Sequence, residues 1–524
     1  MTRREFLATT AAGAAAQQAT WNAGPVRHLL PGANHERFLI KASFERAIAR
    51  PPLLRVGDWR LSGQRTDSEG EFWQFDVDAL KPGSPYALQI LDSTGKALTD
   101  PWTLKTMPHP DENVQRFRLM IYTCAGGHDG VRIPDSDQPY WVSVANRRKL
   151  FAAGLAMRPD AMVAIGDHVY WDQRFSRGAG TSSASPFVKQ VMGGDFQRDI
   201  PVIGTHNERK VKRAAGPQVA ELYGTLFRGV PVHFVQDDHD YFENDEAIPQ
   251  GISFPPDDSM MRLARAVQHM YYPEFLPNPD RPPGLAGASA GDRGKGISEC
   301  YGTLRFGKVA ELLIYDCRRY QTLKGPHAGL VPEEVETWLK RRMKESPAAN
   351  VVNVPSMPIA WSAGKWGEWY PDLLLEDGTI GTKKAKYYWQ EGWKLQHDRL
   401  LRACSDMPRI PLWMSGDLHA LAHGKILRNG AHEYSRNPIH AVLTGPVSTG
   451  PRGWPSSARG TPPLLATGLE VEEDLKPLEN NGFTIVDFLA DRIEFQMFRW
   501  KIGQPESLLD QLKAFHTFTI RRVG

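Results

Sequence analysis

Four short apolar segments of this chain each run directly into a cluster of polar residues. The four segments begin at Phe117, Ala161, Val232 and Ile410. Their length and apolar content predict buried β-strands, and several stretches between them are predicted to be helical. Strands that alternate with helices form α/β sheets, in which ligands bind at the carboxyl ends of the strands. The sequence therefore predicts an α/β fold with its polar clusters gathered along one sheet edge.

Further elements continue this alternation and then give way to strands. Helices are predicted over residues 138–157, 218–228, 332–344 and 395–403. Additional strands are predicted over residues 309–315, 440–443, 483–488, 492–500 and 514–520. A β-rich tail after such alternation predicts an αββα sandwich, two packed sheets flanked by helices, over residues 114–524. Two stretches rich in Ser, Gly, Pro and Asp, residues 173–205 and 243–298, are predicted to be long loops or insertions.

The first part of the chain has a different pattern. A chain of 524 residues is too long for one ordinary domain. Residues 26–109 contain strand-like segments separated by turn-forming residues, which predicts a small all-β sandwich. Within it, Leu80 is followed by a proline turn and by Tyr86, an arrangement typical of the tyrosine corner in immunoglobulin-like and fibronectin-like domains. We expect this domain to support or position the α/β domain.

The N-terminus indicates export. Arg3 and Arg4 precede a Phe-Leu pair and a run of small apolar residues, which is typical of a twin-arginine signal peptide over residues 1–24. The pattern predicts transport by the twin-arginine machinery to the periplasm or the cell exterior, a route used by folded proteins that often carry metals. No run of about 18 apolar residues occurs, so no transmembrane segment is predicted. The formal net charge of +3 gives no indication of nucleic-acid binding.

The polar clusters after the four strands share one chemistry. They contain Cys124, His128 and Asp129 after the first strand, Asp167, His168 and Tyr170 after the second, Asp237, Asp238, His239 and Asp240 after the third, and Asp417 and His419 after the fourth. One acid after a strand is common, but many carboxylates in one place repel each other unless a cation lies among them. The clusters therefore predict a metal site, and the number of candidate ligands indicates two ions.

Three of these clusters resemble the ordered sequence blocks of a known superfamily. The blocks are Gly166-Asp167-x-x-Tyr170, Asp238-His239-Asp240 and Gly416-Asp417-x-His419. They resemble those of calcineurin-like metallophosphoesterases, and several features point to the alkaline phosphatase D, or PhoD-like, branch. These features are the Asp-x-x-Tyr spacing, Cys124 in place of the usual Asp, Asp417 in place of the first His of a Gly-His-x-His block, and Asp316-Cys317-Arg318, which is similar to an Asp-Thr-Arg segment. The resemblance covers nearly the whole chain.

The resemblance implies which residues hold the metals. The set implied for Fe³⁺ is Cys124, Asp167, Tyr170 and His419. Its phenolate and thiolate suit a strongly polarising ion. Asp167 would bridge to a second ion held with Asp238 and Asp417, and this all-oxygen set suits a hard cation such as Ca²⁺.

The resemblance also implies an exported alkaline phosphatase or phosphodiesterase. A hydroxide held between the two metals would attack phosphorus in line. His239, oriented by Asp240 or a backbone carbonyl, would hydrogen-bond the phosphate or protonate the leaving group. Arg318 would bind phosphate oxygens through two parallel hydrogen bonds, and Asn244 would line the pocket. The sequence leaves open whether the substrates are phosphate monoesters, diesters or polymers.

Several residues have a structural interpretation beside the functional one. Cys124, considered alone, would be interpreted as a buried core thiol, and Tyr170 as a packed aromatic residue. Expected around the site rather than in it are His128, Asp129, His168 and Asp237. The aromatic tract over residues 361–393 is interpreted either as a substrate-binding rim over the metals or as ordinary packing. The loop over residues 444–450 is expected to border the pocket.

Three alternatives to the main functional interpretation remain. The chain could be a PhoD-like enzyme with a diverged substrate, because its two predicted long loops, Cys317 and His168 depart from the family pattern. It could be a non-catalytic exported binding protein that uses the β-sandwich, although the intact blocks argue against loss of activity. It could be a metalloenzyme of different chemistry, such as an iron oxidase or a lyase, although no two-histidine, one-carboxylate pattern occurs.

Overall fold

The computed structural model describes residues 21–129, 131–132, 137–171, 194–241, 245–249, 251–382 and 386–522. Most of the predicted signal peptide, residues 173–193 of the first predicted loop, and Asn244 lie outside the described residues. Within the described ranges, no helix is long and apolar enough to cross a membrane.

The first part of the chain forms two antiparallel sheets that share one core. Their strands are β1 (Val26–Ala33), β2 (Phe38–Phe44), β3 (Leu53–Val56), β4 (Trp59–Ser62), β5 (Gln64–Arg65), β6 (Phe72–Val77), β7 (Pro85–Leu91) and β8 (Trp102–Lys105). One sheet has the order β1-β2-β6-β5 and the other has the order β4-β3-β7-β8. Leu29, Phe38 and Phe75 of the first sheet belong to the same buried cluster as Leu54 and Leu88 of the second. The predicted all-β sandwich is confirmed.

The predicted tyrosine corner has the hydrogen bond that defines such a motif. The backbone N–H of Lys81 donates to Tyr86 Oη over 2.7 Å. Tyr86 opens β7 directly after the proline turn, so this bond closes the turn onto the strand.

A buried ion pair joins the β-sandwich to the rest of the chain. Lys41 of β2 places its ammonium 2.9 Å from a carboxylate oxygen of Glu274, and neither side chain is exposed. Arg293 also contacts Glu274, over 2.7 Å. Because a buried charge needs a partner, these contacts fix the sandwich against the larger domain.

The larger domain contains two large sheets and, among the described residues, three two-stranded sheets. Its strands are β9 (Phe117–Thr123), β10 (Ala161–Ile165), β11 (Val232–Val235), β12 (Ala247–Ile248), β13 (Gly251–Ile252), β14 (Tyr301–Phe306), β15 (Ala310–Tyr315), β16 (Asn350–Pro355), β17 (Trp361–Ser362), β18 (Leu373–Leu374), β19 (Ile380–Gly381), β20 (Leu412–Ser415), β21 (Leu421–Asn429), β22 (His432–Glu433), β23 (Ile439–Thr444), β24 (Leu464–Leu465), β25 (Leu469–Leu478), β26 (Asn481–Phe488), β27 (Arg492–Trp500) and β28 (Ala514–Arg521). One large sheet has the order β11-β10-β9-β26-β27-β28. The other large sheet has the order β14-β15-β16-β20-β23-β21-β22, and β25 also pairs with β21. Strands β9, β10 and β11 are parallel, as are β15, β16, β20 and β23.

Helices pack on the outer faces of these two sheets, and one helix, Asp258–Tyr271, lies against β2 and β6 of the β-sandwich. They are α1 (Val144–Ala156), α2 (His206–Ala215), α3 (Asp258–Tyr271), α4 (Glu333–Glu345), α5 (Glu391–Ser405) and α6 (Ser456–Arg459). Because side chains alternate along a strand, Leu119 and Ile121 of β9 pack between the sheets in one cluster with Leu412 of β20. Tyr122 of β9 points to the other face, where its ring lies 5.0 Å from that of Phe151 in α1. The αββα sandwich is confirmed.

Two predicted helices have different bounds. Helix α1 begins at Val144 instead of residue 138, because Ser143 caps it by accepting a hydrogen bond from the backbone N–H of Asn146. The helix predicted over residues 218–228 is displaced. Helix α2 begins at His206 and continues directly into a π-helix over Gly216–Glu221.

The prediction of a long loop or insertion over residues 243–298 is wrong for the middle of this stretch, which is helical. It contains α3, whose buried residues Met260, Leu263 and Val267 recur at helical spacing. Asp257 caps this helix by accepting hydrogen bonds from the backbone N–H groups of residues 259 and 260. Proline and glycine residues on both sides of this 14-residue helix concealed its apolar spacing in the sequence.

Candidate metal centre

The polar clusters meet because the two sheets of the larger domain touch at one edge. Thr123, the last residue of β9, donates its backbone N–H to the carbonyl of Gly445 over 3.0 Å. Val447 donates its N–H in turn to the carbonyl of Thr123 over 3.0 Å. These bonds tie the end of β9 to the loop after β23, so the carboxyl ends of parallel strands from both sheets lie together.

Several residues at this edge of the sheets have a strained backbone conformation. The structure gives nine non-glycine residues a positive φ within the described ranges, and four of them belong to the predicted clusters. These four are Cys124 (49°), Asp167 (54°), Asp417 (64°) and His419 (48°). A left-handed backbone at a residue with a side chain is unfavourable and persists where the surrounding structure imposes it, typically at functional sites.

Two glycines allow the strand ends to approach each other. A Cβ atom on Gly416 would lie 2.1 Å from Thr123 Oγ1, and one on Gly166 would lie 2.4 Å from Asp237 Cβ. Both distances are shorter than van der Waals contact. The glycine that precedes the acid in these two blocks is therefore required by packing, because a side chain there would push the strand ends apart.

The first half of the site is the thiolate cluster, which consists of Cys124, Asp167, Tyr170 and His419. Cys124, Asp167 and His419 each place one possible ligand atom within 4.8 Å of the other two. The hydroxyl of Tyr170 donates to Asp167 Oδ2 over 3.0 Å and lies 3.0 Å from His419 Nε2. The structure thus brings together all four residues predicted to bind Fe³⁺.

The protonation chemistry of the thiolate cluster fits a bound cation. Burial, followed by the charge of Asp167, raises the pKa of the Cys124 thiol and that of the Tyr170 hydroxyl well above their usual values. Asp167 Oδ1 is buried without a hydrogen-bond partner among the described residues. A metal ion would stabilise the thiolate and the phenolate and would satisfy this oxygen, because metal binding releases protons from such ligands.

Thr449 orients the histidine of the thiolate cluster. Its hydroxyl lies 2.6 Å from His419 Nδ1, which directs Nε2 towards Tyr170 and Asp167. Outer hydrogen bonds of this kind set the ring orientation of metal-binding histidines. Thr449 belongs to the loop that was expected to border the pocket.

The second half of the site is the carboxylate cluster, which consists of Asp237, Asp238, Asp245 and Asp417 with Lys365 and Arg318. Oxygen atoms of Asp237, Asp238 and Asp417 lie within 4.8 Å of one another. All six side chains are at most 2% exposed. The Lys365 ammonium lies 2.7 Å from Asp417 Oδ1 and 3.0 Å from Asp238 Oδ2.

Arg318 lies deep in the carboxylate cluster. Its Nε donates to Asp237 over 2.6 Å and its Nη1 to Asp245 over 2.8 Å. Its Nη2 lies 3.5 Å from Asp417 Oδ2 and makes no hydrogen bond within the described part of the chain. Two arms of the guanidinium therefore hold carboxylates, and only Nη2 is available for the predicted contact with phosphate.

Asp238 and Asp417, which both lie beside Lys365 and Arg318, have pKa values shifted in opposite directions. Burial alone would raise the pKa of Asp238, but the charges of Lys365, Arg318 and His239 hold it well below the usual value. Burial, assisted by the charge of Asp238, raises the pKa of Asp417 to about 7. Two acids of one cluster thus differ in their tendency to ionise, as expected where carboxylates crowd together.

His239 lies between the two halves of the site. It belongs to the 3₁₀ turn Asp238–Tyr241, is half-buried, and places its ring 4.4 Å from that of Tyr170. One of its ring nitrogens lies within 4.8 Å of oxygen atoms of Asp167 and Asp238. His239 is therefore close to any group bound at the thiolate cluster, as its predicted catalytic role requires.

Asp240 has hydrogen-bond partners in the strand-end loops. It accepts from the backbone N–H groups of His168 (2.8 Å), Val169 (3.1 Å) and Asp237 (3.0 Å). His168 is also turned away from the ligands, because its Nε2 lies 2.9 Å from the carbonyl of Val235. Asp240 and His168 therefore fix the loops that carry the ligands.

Sequence reasoning missed Lys365 and Asp245, and it placed Thr449 in a loop bordering the pocket without giving it a role. Lys365 and Asp245 bind in the carboxylate cluster, and Thr449 orients His419. Lys365 lies in the aromatic tract. Tyr387 and Tyr388 of this tract are about half exposed, but five of its other aromatic residues are packed and form no exposed rim. Their exposures are 1% for Trp361, 5% for Trp366, 0% for Trp369, 0% for Tyr370 and 0% for Trp393. The sequence did contain one signal for Lys365: a lysine flanked by Gly364 and Gly367 is unusual in so apolar a tract.

Comparison with known proteins agrees with the fold. A family model for PhoD-like phosphatases matches residues 143–497. The solved structure titled "Structure of PhoD" is 12% identical, with a TM-score of 0.60, over 96% of this chain and 91% of that one. The purple acid phosphatase PPD1 from yellow lupin (Lupinus luteus) seeds is also 12% identical, with a TM-score of 0.55, over 96% of this chain and 75% of that one. No curated protein sequence is significantly similar. Because the family model covers more than half of its length, the chain belongs to the PhoD-like phosphatase family.

Proposed function

We propose that this protein is a metal-dependent phosphoesterase that acts as an alkaline phosphatase or phosphodiesterase. The observation that carries the proposal is the thiolate cluster with His239 beside it, at the strand ends of a PhoD-like chain. Ligands that bind metal and a histidine that can transfer a proton are the two requirements of phosphate-ester hydrolysis at such a centre.

The thiolate cluster would hold the metal ion, and Fe³⁺ is the proposed ion. Thiolate, phenolate, carboxylate and imidazole together suit a strongly polarising transition metal better than Mg²⁺ or Ca²⁺. When bound, the ion supplies Lewis acidity towards the phosphate ester and acidifies water. The chain fixes the positions of the ligands. It does so through the strained backbone of Cys124, Asp167 and His419 and through the contact between the Thr449 hydroxyl and His419 Nδ1.

His239 and Arg318 would act on the phosphate group. His239 is half-buried and close to Tyr170, so it can hydrogen-bond a phosphate oxygen or protonate the leaving oxygen. Arg318 would contribute through Nη2, because Nε and Nη1 are bound to Asp237 and Asp245. In this arrangement Arg318 donates one hydrogen bond to phosphate and not two.

Hydrolysis of a chromogenic phosphodiester and its monoester tests the proposal. Purified protein should release the chromophore, lose activity after treatment with a chelator, and regain it when Fe³⁺ is restored. The ratio of diester to monoester turnover would identify the substrate class. Absence of turnover with either ester, in protein shown to contain metal, would contradict the proposal and favour a diverged substrate or a binding function.

The paired arginines support the further proposal that the protein is exported by the twin-arginine pathway. Replacing Arg3 and Arg4 together by lysine should retain the full-length chain in the cytoplasm, because that machinery reads the arginine pair. Cell fractionation and immunoblotting measure the distribution. Equal export of the variant and the parent would contradict the proposal.

A further inference from the structure

The residues expected to hold a second metal ion face a lysine instead. Asp238 and Asp417 each direct a carboxylate oxygen at the Lys365 ammonium, over 3.0 and 2.7 Å. A third acid, Asp245, lies 2.9 Å from the same ammonium. The position among these three carboxylates is thus already filled by a cation of the chain.

Lys365 is built into this position by its own loop. The neighbouring Gly367 donates its N–H to Asp245 Oδ2 over 2.9 Å and accepts a hydrogen bond from Arg318 Nη1 over 3.3 Å. A Cβ atom on Gly367 would lie 2.3 Å from Asp245 Oδ2. The backbone of this loop therefore packs directly against the carboxylate cluster, and Lys365 enters it from a fixed point.

A second buried ion pair closes the loop that carries Lys365. Glu368 accepts a hydrogen bond from the backbone N–H of Ala363 over 2.7 Å and binds the ammonium of Lys386 over 2.7 Å. Glu368 and Lys386 are both at most 3% exposed. This pair holds the loop closed, so displacing Lys365 would require rearranging a packed, hydrogen-bonded segment.

A calcium ion does not fit beside this lysine. Ca²⁺ takes six to eight oxygen ligands. Each of these carboxylates gives an oxygen to Lys365 or Arg318. Among the described residues of the carboxylate cluster, Asp237 Oδ2, Asp238 Oδ1 and Asp417 Oδ2 remain without a hydrogen bond, which are fewer oxygens than that ion requires. Two cations held by the same buried oxygens would also repel each other strongly. The thiolate cluster differs, because no lysine or arginine of the described residues forms an ion pair with Asp167.

We infer that the Lys365 ammonium takes the place of the second metal ion, so that this chain binds a single ion at the thiolate cluster. The inference rests on the proposed function and corrects the expectation of a two-ion centre. Lys365 is a positioning residue: it orients Asp238 and Asp417 and neutralises part of their charge. Its close partners Asp238, Asp245 and Asp417 are all carboxylates, so the inference assigns it no contact with substrate.

Counting bound ions tests the inference. The full-length protein is reconstituted with Fe³⁺ and Ca²⁺ together, freed of unbound metal, and analysed by elemental mass spectrometry. We expect one ion per chain, and that ion should be iron. The variant Lys365→Met removes the ammonium and keeps the length of the side chain, so it should bind a second ion. Lys386→Met is the matched control, because it removes a buried ammonium of the same loop outside the site and should still bind one ion.

The outcomes separate the inference from the proposed function. Two ions or none in the parent protein would overturn the inference, and so would a Lys365→Met protein that still binds only one. If that variant does not fold, calorimetric titration of the iron-loaded parent protein with Ca²⁺ decides, because specific binding of Ca²⁺ would overturn the inference. Turnover is measured on the same samples. One ion without turnover would defeat the proposed function alone, and two ions with turnover would defeat the inference alone.

Discussion

The thiolate cluster and the carboxylate cluster lie side by side and are both buried, yet they balance charge differently. The carboxylate cluster contains four acids and carries its own cations, Lys365 and Arg318. The thiolate cluster has a carboxylate, a thiol and a phenol, and within the described ranges no lysine or arginine pairs with its Asp167. Since buried anions require a positive partner, one half carries its cations within the folded chain and the other needs an ion from solution.

The comparison predicts that substitutions in the two halves have different consequences. Changes in the thiolate cluster should remove metal and activity while the fold survives. Changes in the carboxylate cluster should lower stability first, because they leave buried charges without partners. The four predictions below test this difference.

Asp167→Asn should have the largest effect. Asp167 has ligand atoms within 4.8 Å of those of Cys124 and His419, and also of those of Asp238 and His239. Its charge therefore acts on the thiolate cluster and on the residues beside it. We expect loss of the bound ion and a large fall in kcat/KM. The fall should exceed by far the decrease of about 100-fold that follows when a metal ligand loses its outer hydrogen-bond partner. Metal analysis and ester hydrolysis measure both effects.

Asp129→Asn is the control for this prediction. Asp129 follows Cys124 in the same polar block but accepts a hydrogen bond from the first backbone N–H of α1, away from the ligands. It should keep its metal. If Asp129→Asn lost metal as completely as Asp167→Asn, the boundary of the thiolate cluster would be wrong.

Arg318→Met should show the instability expected of the carboxylate cluster. It leaves Asp237 and Asp245 without their guanidinium partner in a site that solvent does not reach. Removing one partner of a buried ion pair lowers the free energy of unfolding by about 3–5 kcal/mol. Urea unfolding of metal-free protein measures this loss without a contribution from bound metal.

An exposed arginine provides the matched control. Arg428 pairs with Glu470, and both side chains are about half exposed. Arg428→Met should lower the free energy of unfolding far less than Arg318→Met does, because solvent screens an exposed ion pair. A similarly small loss for Arg318→Met would show that the carboxylate cluster does not depend on its internal cations, and the contrast between the two halves would not hold.

His239→Gln should lower activity while metal remains bound. A residue that transfers a proton in the transition state typically contributes about 10²–10⁴-fold to the rate. We expect a decrease of that size in kcat, with the iron content unchanged. His168→Gln serves as the comparison, because His168 faces the carbonyl of Val235 and should affect stability more than kcat. Full turnover by metal-loaded His239→Gln would exclude the catalytic role.

Thr449→Ala should have the smallest effect of the four. It removes the hydroxyl that lies 2.6 Å from His419 Nδ1 and so loosens one ligand of the thiolate cluster. Loss of such an outer partner costs about 10–100-fold in metal affinity or activity. The adjacent Ser448 is the control, since its buried hydroxyl makes no hydrogen bond to a described residue. Equal losses in Ser448→Ala and Thr449→Ala would indicate a loop effect unrelated to His419.

Most of the fold was predictable because its signals are local. The strands at β9, β10 and β11 are short apolar runs that end in polar residues, and their observed bounds agree with the prediction to within one residue. Helix α3 was missed for the opposite reason, since its flanking prolines and glycines dominate the composition of the stretch around it. The displaced helix at residues 218–228 contains a π-helical segment, whose hydrogen bonding departs from the 3.6-residue period.

By itself, the sequence determined the ligand-bearing ends of the strands. Each block lies within a few residues, and the polar residues that directly follow its apolar strand are placed at a sheet edge whatever the remaining chain does. Only the tertiary structure decided how charge is balanced there. Lys365 is 127 residues from Asp238 and 52 from Asp417. Their contact exists because the two sheets pack face to face and the loop of Gly367 lies against their common edge, and such a contact between distant residues leaves no periodicity or spacing in the sequence.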